Sequence, residues 1–189
     1  MHDAIVVGAR CAGAPTAMLL ARRGYRVLLV DRAALASDIP HGHFIHRHGP
    51  RRLHAWGLLD RITASGCPAI SETTLDVGAG PLTGVGLVAG GVALGYGPRR
   101  SALDRILVEA AVEAGADLAM EFSVDELVGE GERVVGIRGR DRQGGSRVTE
   151  LAAVVIGADG RNSLLARTVR APEYEVTPPL TCWFFSYWS

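Results

Sequence analysis

Two glycines near the start of the chain have the spacing of a phosphate-binding loop. Gly8 and Gly13 occupy the first and third glycine positions of a GxGxxG pattern in the segment VVGARCAGAP. In such loops the first glycine permits a tight turn, and the last lets a helix pack closely on a strand. Arg10 replaces the middle glycine, which normally lets the backbone approach a pyrophosphate. The pattern therefore indicates anion binding, with Arg10 as a departure.

The residues behind this loop favour a helix that begins within it. The segment from Ala12 to Arg23 contains helix-forming residues and is closed by Gly24. Unpaired N–H groups and the dipole at a helix N-terminus stabilise a bound phosphate. Arg10 adds a positive charge, and Cys11 is a small loop residue that needs no redox role. The alternative interpretation is an ordinary strand–helix–strand unit without a ligand.

An acidic residue follows the next apolar segment. Asp31 lies 23 residues after Gly8, directly behind the strand-like segment Arg26–Val30. A carboxylate at this place accepts hydrogen bonds from a ribose diol and disfavours a 2′-phosphate. Together with the apolar run Asp3–Val7, these segments predict a βαβ unit whose two strands are parallel.

The rest of the pattern predicts an α/β fold with a Rossmann-like domain and a β meander. A second amphipathic helix is expected from Arg100 to Ala114. A further helix is expected near Pro50, carrying Leu53, Trp56, Leu58 and Leu59. The glycine-rich residues 73–97 predict a separate antiparallel sheet. Four segments have the pattern of meander strands: residues 116–122, 123–128, 134–140 and 146–156.

Two more motifs follow the βαβ unit. RSALD spans residues 100–104, and GADGRNS spans residues 157–163, where a helix is expected to begin near Asn162 or Ser163. Asp159 suits both a ligand-facing position and a helix cap. In order and spacing, the three motifs resemble those of FAD-dependent monooxygenases of the p-hydroxybenzoate hydroxylase type. More broadly, they resemble flavoprotein oxidoreductases that share this FAD-binding domain.

The resemblance implies that the chain binds FAD and uses NADH or NADPH as reductant. Carried over to this sequence, Gly8, Gly13 and Asp31 hold the ADP half, and Arg100 lies near the ribityl chain. Asp159 and Gly160 take the role of the family's DG motif. The full set of expected cofactor-binding residues is Gly8, Arg10, Cys11, Ala12, Gly13, Asp31, Arg32, Arg47, Arg100, Asp159 and Gly160. Arg47 is equally consistent with a solvated loop.

The activity that this resemblance implies is NAD(P)H-dependent hydroxylation of an aromatic or polyketide-like small molecule. Catalytic side chains are not identified, because the cofactor carries the chemistry. One alternative is a flavin-dependent reductase of the geranylgeranyl-reductase type. Another is a non-catalytic FAD-binding fragment. Related halogenases need a lysine, and this chain has none, so a halogenase is not expected.

The family's usual length predicts two parts in this chain and a truncated end. Residues 1–72 and 98–172 are expected to form the FAD-binding domain. Residues 73–97 and 173–189 are expected to form part of an antiparallel substrate-domain sheet. The terminal segment CWFFSYWS resembles the first returning strand of that sheet. An exposed aromatic edge favours association, which leaves a homo-oligomer open.

Composition excludes several classes of partner. Twenty acidic residues balance twenty basic ones, so no basic excess indicates a nucleic acid or a membrane surface. No apolar run has the length of a membrane helix. Three widely spaced cysteines match neither a disulfide framework nor a zinc pattern, which favours a cytoplasmic setting. No metal is expected, because the spacing of four loop histidines fits no zinc motif. These are His41, His43, His46 and His48.

Overall fold

The computed structural model describes residues 1–35, 43–46, 48–67, 69–85, 95–141, 145–178, 180 and 182. Within these residues the chain forms eleven strands and five helices. The strands are β1 His2–Val7, β2 Val27–Val30, β3 Ile45–His46, β4 Ala69–Ile70, β5 Glu72–Asp76, β6 Pro81–Val85, β7 Gly95–Tyr96, β8 Asp117–Ala119, β9 Phe122–Glu130, β10 Arg133–Asp141 and β11 Arg147–Gly157. The helices are α1 Gly13–Ala21, α2 His48–Ala55, α3 Leu59–Ala64, α4 Arg100–Glu113 and α5 Leu164–Thr168.

A six-stranded sheet forms the centre of the fold, with the strand order β8, β2, β1, β11, β10, β9. Strand β1 pairs in parallel with β2, where Val6 lies opposite Leu29. On its other side β1 pairs in parallel with β11, where Val6 lies opposite Ile156. Helix α1 connects β1 to β2. The predicted βαβ unit and the α/β fold are therefore confirmed.

Strand β11 takes part in two pairings along its length. Its first half, through Leu151, pairs antiparallel with β10, and its second half, from Ala152, pairs in parallel with β1. Strand β10 also pairs antiparallel with β9. These three strands are three of the four predicted meander strands. The prediction was wrong for residues 116–122, where β8 pairs in parallel with β2 at the other edge of the sheet. The long strand carries the chain into the parallel part of the sheet, where Gly157 lies opposite Val7.

Alternate residues of β1 are buried in two apolar clusters. Val6 packs with α1 and α4 in a cluster that includes Met18. Ile5 faces the opposite side, in a cluster with Ile137 of the meander. All four side chains are fully buried, and burying an apolar side chain of this size contributes about 1.5–3 kcal/mol. Strand β1 is thus held between two layers, and its carboxyl end has a fixed place.

The helix that was expected near Pro50 is divided into α2 and α3. Gly57 adopts φ of +74° between them, a left-handed conformation that commonly ends a helix. The Leu58 N–H donates to the Leu53 carbonyl oxygen over 2.8 Å, which caps α2. The apolar pattern is continuous because Leu53, Leu58 and Leu59 are all buried, so periodicity alone did not reveal the break.

Two small sheets lie outside the central one. Strands β5 and β6 form a separate antiparallel pair in the predicted region, with exposed Leu75 opposite exposed Leu82. Strand β7, expected in the same sheet, pairs instead with β3 and β4. Residues 86–94 lie outside the described residues, as does most of the predicted CWFFSYWS strand. In the described part of the chain, no helix is long and apolar enough to span a membrane.

Candidate functional site

Three loops meet where the central parallel strands end. Strands β1, β2 and β11 run in the same direction, so their carboxyl ends lie at one edge of the sheet. The Gly8 N–H donates to the Val30 carbonyl oxygen, and the Ala158 N–H donates to the Val7 carbonyl oxygen, both over 2.8 Å. Open α/β sheets bind ligands outside this edge. The structure therefore places the first and third motifs side by side at a ligand-binding edge.

Gly8 and Gly13 are required by close packing between these loops. Gly8 has φ of +105°, and a Cβ atom at this position would overlap the carbonyl oxygen of Ala158. A Cβ atom at Gly13 would overlap the carbonyl oxygen of Gly8. The obstacles are backbone atoms, which cannot rotate away as a side chain does. The two glycines thus hold the β1–α1 turn directly against the GADGRNS loop.

The Asp31 carboxylate, directly after β2, stabilises the same turn by hydrogen bonds. Its Oδ2 accepts a hydrogen bond from the Ala9 N–H, and its Oδ1 accepts one from the Ala33 N–H, both over 2.8 Å. An ionised carboxylate has about four acceptor sites, so both oxygens retain capacity for further donors. The structure brings Asp31 to the glycine loop, as the spacing predicted. Its contact with a ribose stays a prediction.

The first turn of α1 faces this edge. Its Ala14 N–H donates to the Arg10 carbonyl oxygen over 3.0 Å, and Pro15 has no N–H, so the Gly13 N–H and the helix dipole are what the turn offers. Ala12 is the N-cap residue, and among the described residues no side chain caps the turn and no acid lies within it. The first N–H groups of a helix have no acceptor within the helix. The dipole places partial positive charge at the same end. This terminus therefore suits an anionic group supplied by a ligand.

Arg10 occupies the middle-glycine position without backbone strain. Among the described non-glycine residues, a positive φ occurs at Glu121, Arg170 and Glu175 and not at Arg10. The Arg10 Nη1 donates to the Asp104 Oδ2 over 3.2 Å. The side chain thus extends from the loop to α4. The departure from the glycine pattern is accommodated by an ion pair.

Asp104 is a site residue that the sequence did not predict. Its side chain is only 6% exposed and accepts hydrogen bonds from the Arg100 Nη2, over 3.0 Å to Oδ1 and 3.2 Å to Oδ2. Through Arg10 it joins the RSALD helix to the glycine loop. One signal was available, since Asp104 ends the RSALD motif one turn after Arg100. Its pairing with Arg10 depends on how α1 and α4 pack.

Arg100 has one buried donor, its Nε, that the ion pair with Asp104 does not use. Its side chain is 17% exposed, and its Nε is buried without a hydrogen-bond partner among the described residues. Leaving a buried donor unsatisfied costs about 1–3 kcal/mol, and more for a charged group. A ligand acceptor at this point would remove that cost.

Cys11 completes the group of side chains around Asp104. Its Sγ lies 3.5 Å from the Asp104 Oδ1. Burial of the sulfur raises the pKa of the Cys11 thiol to about 11, while the charge of Arg100 acts in the opposite direction and Asp104 adds to the rise. The residue as a whole still has an exposed surface. The thiol is therefore protonated at neutral pH, which makes it a poor nucleophile.

Asp159 helps to cap the helix that follows the third motif. Its Oδ1 accepts a hydrogen bond from the Ser163 hydroxyl over 2.6 Å, and its Oδ2 accepts one from the Leu164 N–H over 2.7 Å. Gly160 has φ of +84° and makes the turn between them. The N-cap residue of α5 is Ser163, and Asp159 supplements that cap by accepting the Leu164 and Leu165 N–H groups. A second role toward a cofactor is compatible with it, because each oxygen has another lone pair.

The remaining predicted residues are less closely connected with this edge. Arg32 is exposed in the turn after β2. Arg47 and His41 lie outside the described residues. Within the described ranges, no group of three or more histidine, cysteine or acidic side chains is placed to hold a metal ion.

A cleft lies between these groups. It combines the glycine loop, the residues after β2 and the buried acid of α4. Its lining residues are Ala9, Arg10, Asp31, Ala33, Ala34, Leu35, Asp104 and Met120. Asp31, a diol acceptor, and Arg10, a cation, line this cleft, and the N-cap of α1, Ala12, lies two residues after Arg10. A nucleotide with a pyrophosphate requires groups of these kinds.

Three curated relatives are similar in sequence to the chain. Protein FixC of Salmonella typhi is 34% identical over 171 residues, covering 88% of this chain and 38% of FixC. The probable electron transfer flavoprotein-quinone oxidoreductase YdiS of Escherichia coli is 34% identical over 176 residues, covering 88% and 38%. Digeranylgeranylglycerophospholipid reductase 1 of Methanococcoides burtonii is 29% identical over 167 residues, covering 88% and 39%. The chain thus spans under two fifths of their length.

Solved structures of other proteins share the fold. The myxobacterial chondrochloren halogenase CndH, a FAD-dependent halogenase, superposes with a TM-score of 0.73 at 28% identity, over 83% of this chain and 37% of CndH. PqsL of P. aeruginosa superposes with a TM-score of 0.77 at 24% identity, over 94% of this chain and 48% of PqsL. The second likeness establishes the fold alone.

The family match covers all three motifs. Residues 1–184 match the family described as the FAD binding domain. This range includes the glycine loop, the RSALD helix and the GADGRNS loop, which the structure brings to one edge of the sheet. The chain therefore belongs to the FAD binding domain family, among the FAD-binding oxidoreductases.

Proposed function

We propose that the carboxyl edge of β1, β2 and β11 holds the ADP half of FAD. In this assignment, the α1 terminus and the Arg10 and Arg100 guanidiniums bind the pyrophosphate, and Asp31 accepts the adenosine ribose hydroxyls. Asp159 and Gly160 shape the loop beside the flavin end. The single observation that carries this proposal is the buried Arg100 Nε, a donor without an acceptor among the described residues. An anionic cofactor supplies that acceptor.

The proposed reaction is hydroxylation of an aromatic or polyketide-like small molecule, with NADH or NADPH as reductant. Bound FAD supplies the redox chemistry and the reaction with O2. The residues of this chain bind and orient the cofactor, and the two glycines hold the β1–α1 turn against the GADGRNS loop. The resemblance of the three motifs to the p-hydroxybenzoate hydroxylase type supports this reaction. The substrate class rests on that resemblance alone.

A second candidate is electron or hydride transfer without insertion of oxygen. The relatives YdiS, named as a quinone oxidoreductase, and the Methanococcoides burtonii reductase favour it. Both candidates use the same FAD site, so the geometry at the sheet edge is equally suited to them. They differ in what accepts the electrons after the cofactor is reduced.

Oxygen consumption by the full-length, FAD-loaded protein separates the candidates. NADH or NADPH is added with a panel of phenolic and polyketide compounds, and catalase is included to remove peroxide. The monooxygenase proposal predicts that a substrate stimulates O2 uptake and gains one oxygen atom from it. Reduction of the flavin that leads to substrate reduction or quinone reduction, with no O2 incorporated, contradicts hydroxylation. FAD binding without any turnover indicates a non-catalytic module.

A further inference from the structure

Asp104 is a nearly fully buried carboxylate that no assigned cofactor contact uses. The residue is 4% exposed, and three donors from two segments converge on it: the Arg10 Nη1, the Arg100 Nη2 and the Cys11 Sγ. A buried carboxylate is tolerated when such charged partners and hydrogen bonds satisfy it. Two of these hydrogen bonds connect Asp104 to the glycine loop at the carboxyl edge of the sheet. This arrangement suggests a role for Asp104 in placing its neighbours.

The two arginines depend on Asp104 for their orientation. Their side chains are 29% and 17% exposed for Arg10 and Arg100, so solvent screens their mutual repulsion only in part. The Arg100 Nη2 donates to both oxygens of the shared carboxylate, and the Arg10 Nη1 donates to its Oδ2, which orients Arg100 and directs Arg10 toward α4. Arginine side chains lose much rotamer entropy when they are held in one orientation. An anchor that orders them before binding removes that cost from the binding step.

The anchored pair lies where an anion is best stabilised. Arg10 follows Gly8 and Ala9 and precedes the uncapped turn of α1. Arg10, Asp31 and Asp104 line the same cleft, and the buried Arg100 Nε has no partner among the described residues. The position of Arg10 is the one at which a glycine normally lets the backbone approach a pyrophosphate. The positive charge of the Arg10 side chain therefore takes the role that the close backbone approach has in the glycine pattern.

We propose that Asp104 is a positioning residue for the pyrophosphate of FAD, holding the Arg10 and Arg100 guanidiniums at the α1 terminus. Asp104 acts through the two arginines and not through a hydrogen bond of its own to the cofactor. Arg10 is then a functional replacement for the missing middle glycine. The proposal rests on the FAD site proposed above.

Comparing the affinities for a ligand with phosphates and a ligand without them tests this role. The full-length apoprotein is titrated with ADP, which carries the pyrophosphate, and with adenosine, which lacks it. In Asp104→Asn we expect ADP affinity to fall about tenfold or more, as for the loss of hydrogen bonds to charged groups, with adenosine affinity unchanged. A merely structural role would weaken both ligands alike. Glu109→Gln is the matched control, because Glu109 on the same helix pairs with Arg61 and Arg105 away from the cleft.

Arg10→Gly supplies a second, independent variant, since it restores the glycine of the pattern at a position with ordinary backbone conformation. We expect it to lower ADP affinity, to leave adenosine affinity unchanged, and to add little when combined with Asp104→Asn. Asp104→Glu should recover part of the ADP affinity.

Three outcomes would overturn the inference: ADP binding by Asp104→Asn as tight as in the parent, equal loss of ADP and adenosine, or tighter ADP binding by Arg10→Gly. If Asp104→Asn does not fold, the Arg10→Gly titration decides alone. A parent protein that binds neither ADP nor FAD contradicts the proposed FAD site itself, which is a separate failure.

Discussion

Gly13 has no room for a side chain, because a Cβ atom would overlap the Gly8 carbonyl oxygen and approach the Ala158 Cβ to 3.1 Å. We therefore expect Gly13→Ala to lower the free energy of unfolding by about 1–3 kcal/mol, the usual cost of overpacking. Urea denaturation measures this change. Gly84→Ala is the control, since no atom lies within 4 Å of its added Cβ and its φ is ordinary. Equal stability of the two variants would contradict the close packing of the loops.

Cys11 should make the stability of the protein depend on alkaline pH. Burial raises the pKa of the folded thiol from its ordinary 9.0 to about 11. The folded state therefore keeps a proton that the unfolded state loses first, so the stabilising contribution is complete below pH 9 and disappears as the pH rises through about 11. Urea denaturation of the parent and Cys11→Ser should give a constant difference up to pH 9 and a shrinking one above it. A difference that stays flat to pH 11 contradicts the burial of this sulfur.

Residues near each other in sequence were the predictable part of the site. Gly8, Gly13 and Asp31 follow a spacing that has a known physical basis within one βαβ unit. The contact between Arg10 and Asp104 joins residues 94 positions apart. It exists because α1 and α4 pack on the same face of the sheet, and no local pattern contains that information.

At the scale of elements, the capped start of α5 holds the third motif in place. The Ser163 Oγ accepts a hydrogen bond from the Ala166 N–H over 3.0 Å, and the Asp159 carboxylate accepts one from the Leu164 N–H. We expect Ser163→Ala to cost about 1 kcal/mol of stability, as for other caps. Thr168→Ala, at the far end of the same helix, should cost less, because its hydroxyl only returns to the Leu164 carbonyl oxygen. Differential scanning calorimetry would show the difference, and a reversed order contradicts the capping assignment.

Long, regular elements were predicted well, and short ones were not. The continuous apolar run of β1 is buried on both faces of the sheet, as such a run indicates, and three of the four predicted meander strands form. Gly57 divides a continuous apolar pattern into α2 and α3 through a positive φ, which periodicity does not reveal. The two-residue strand β7 is defined by partners in β3 and β4, so its place depends on the tertiary fold.

At the scale of the whole molecule, the chain combines the FAD-binding architecture with a small hairpin, β5–β6, whose residues are all exposed. Leu75 and Leu82 of β5 and β6 are 58% and 69% exposed. We propose that the β5–β6 hairpin and residues 173–189 belong to a substrate-domain sheet, and residues 1–72 and 98–172 to the FAD-binding domain. Strand β7, which lies in the predicted range 73–97, pairs with β3 and β4 of that FAD-binding range. The chain spans under two fifths of its curated relatives.

Direct titration of FAD is the most decisive test of the central claim. The full-length apoprotein, followed by quenching of flavin fluorescence, should bind one FAD per chain. Asp31→Ala should bind about tenfold more weakly or worse, since it loses hydrogen bonds to a charged acceptor. Asp76→Ala is the control, because the Asp76 carboxylate also accepts a backbone N–H, from Gly78 over 2.8 Å, but lies in the β5–β6 hairpin. Saturable FAD binding that weakens in Asp31→Ala alone is the predicted result. Absence of saturable binding, or unchanged affinity in Asp31→Ala, would contradict the placement of the cofactor at this edge.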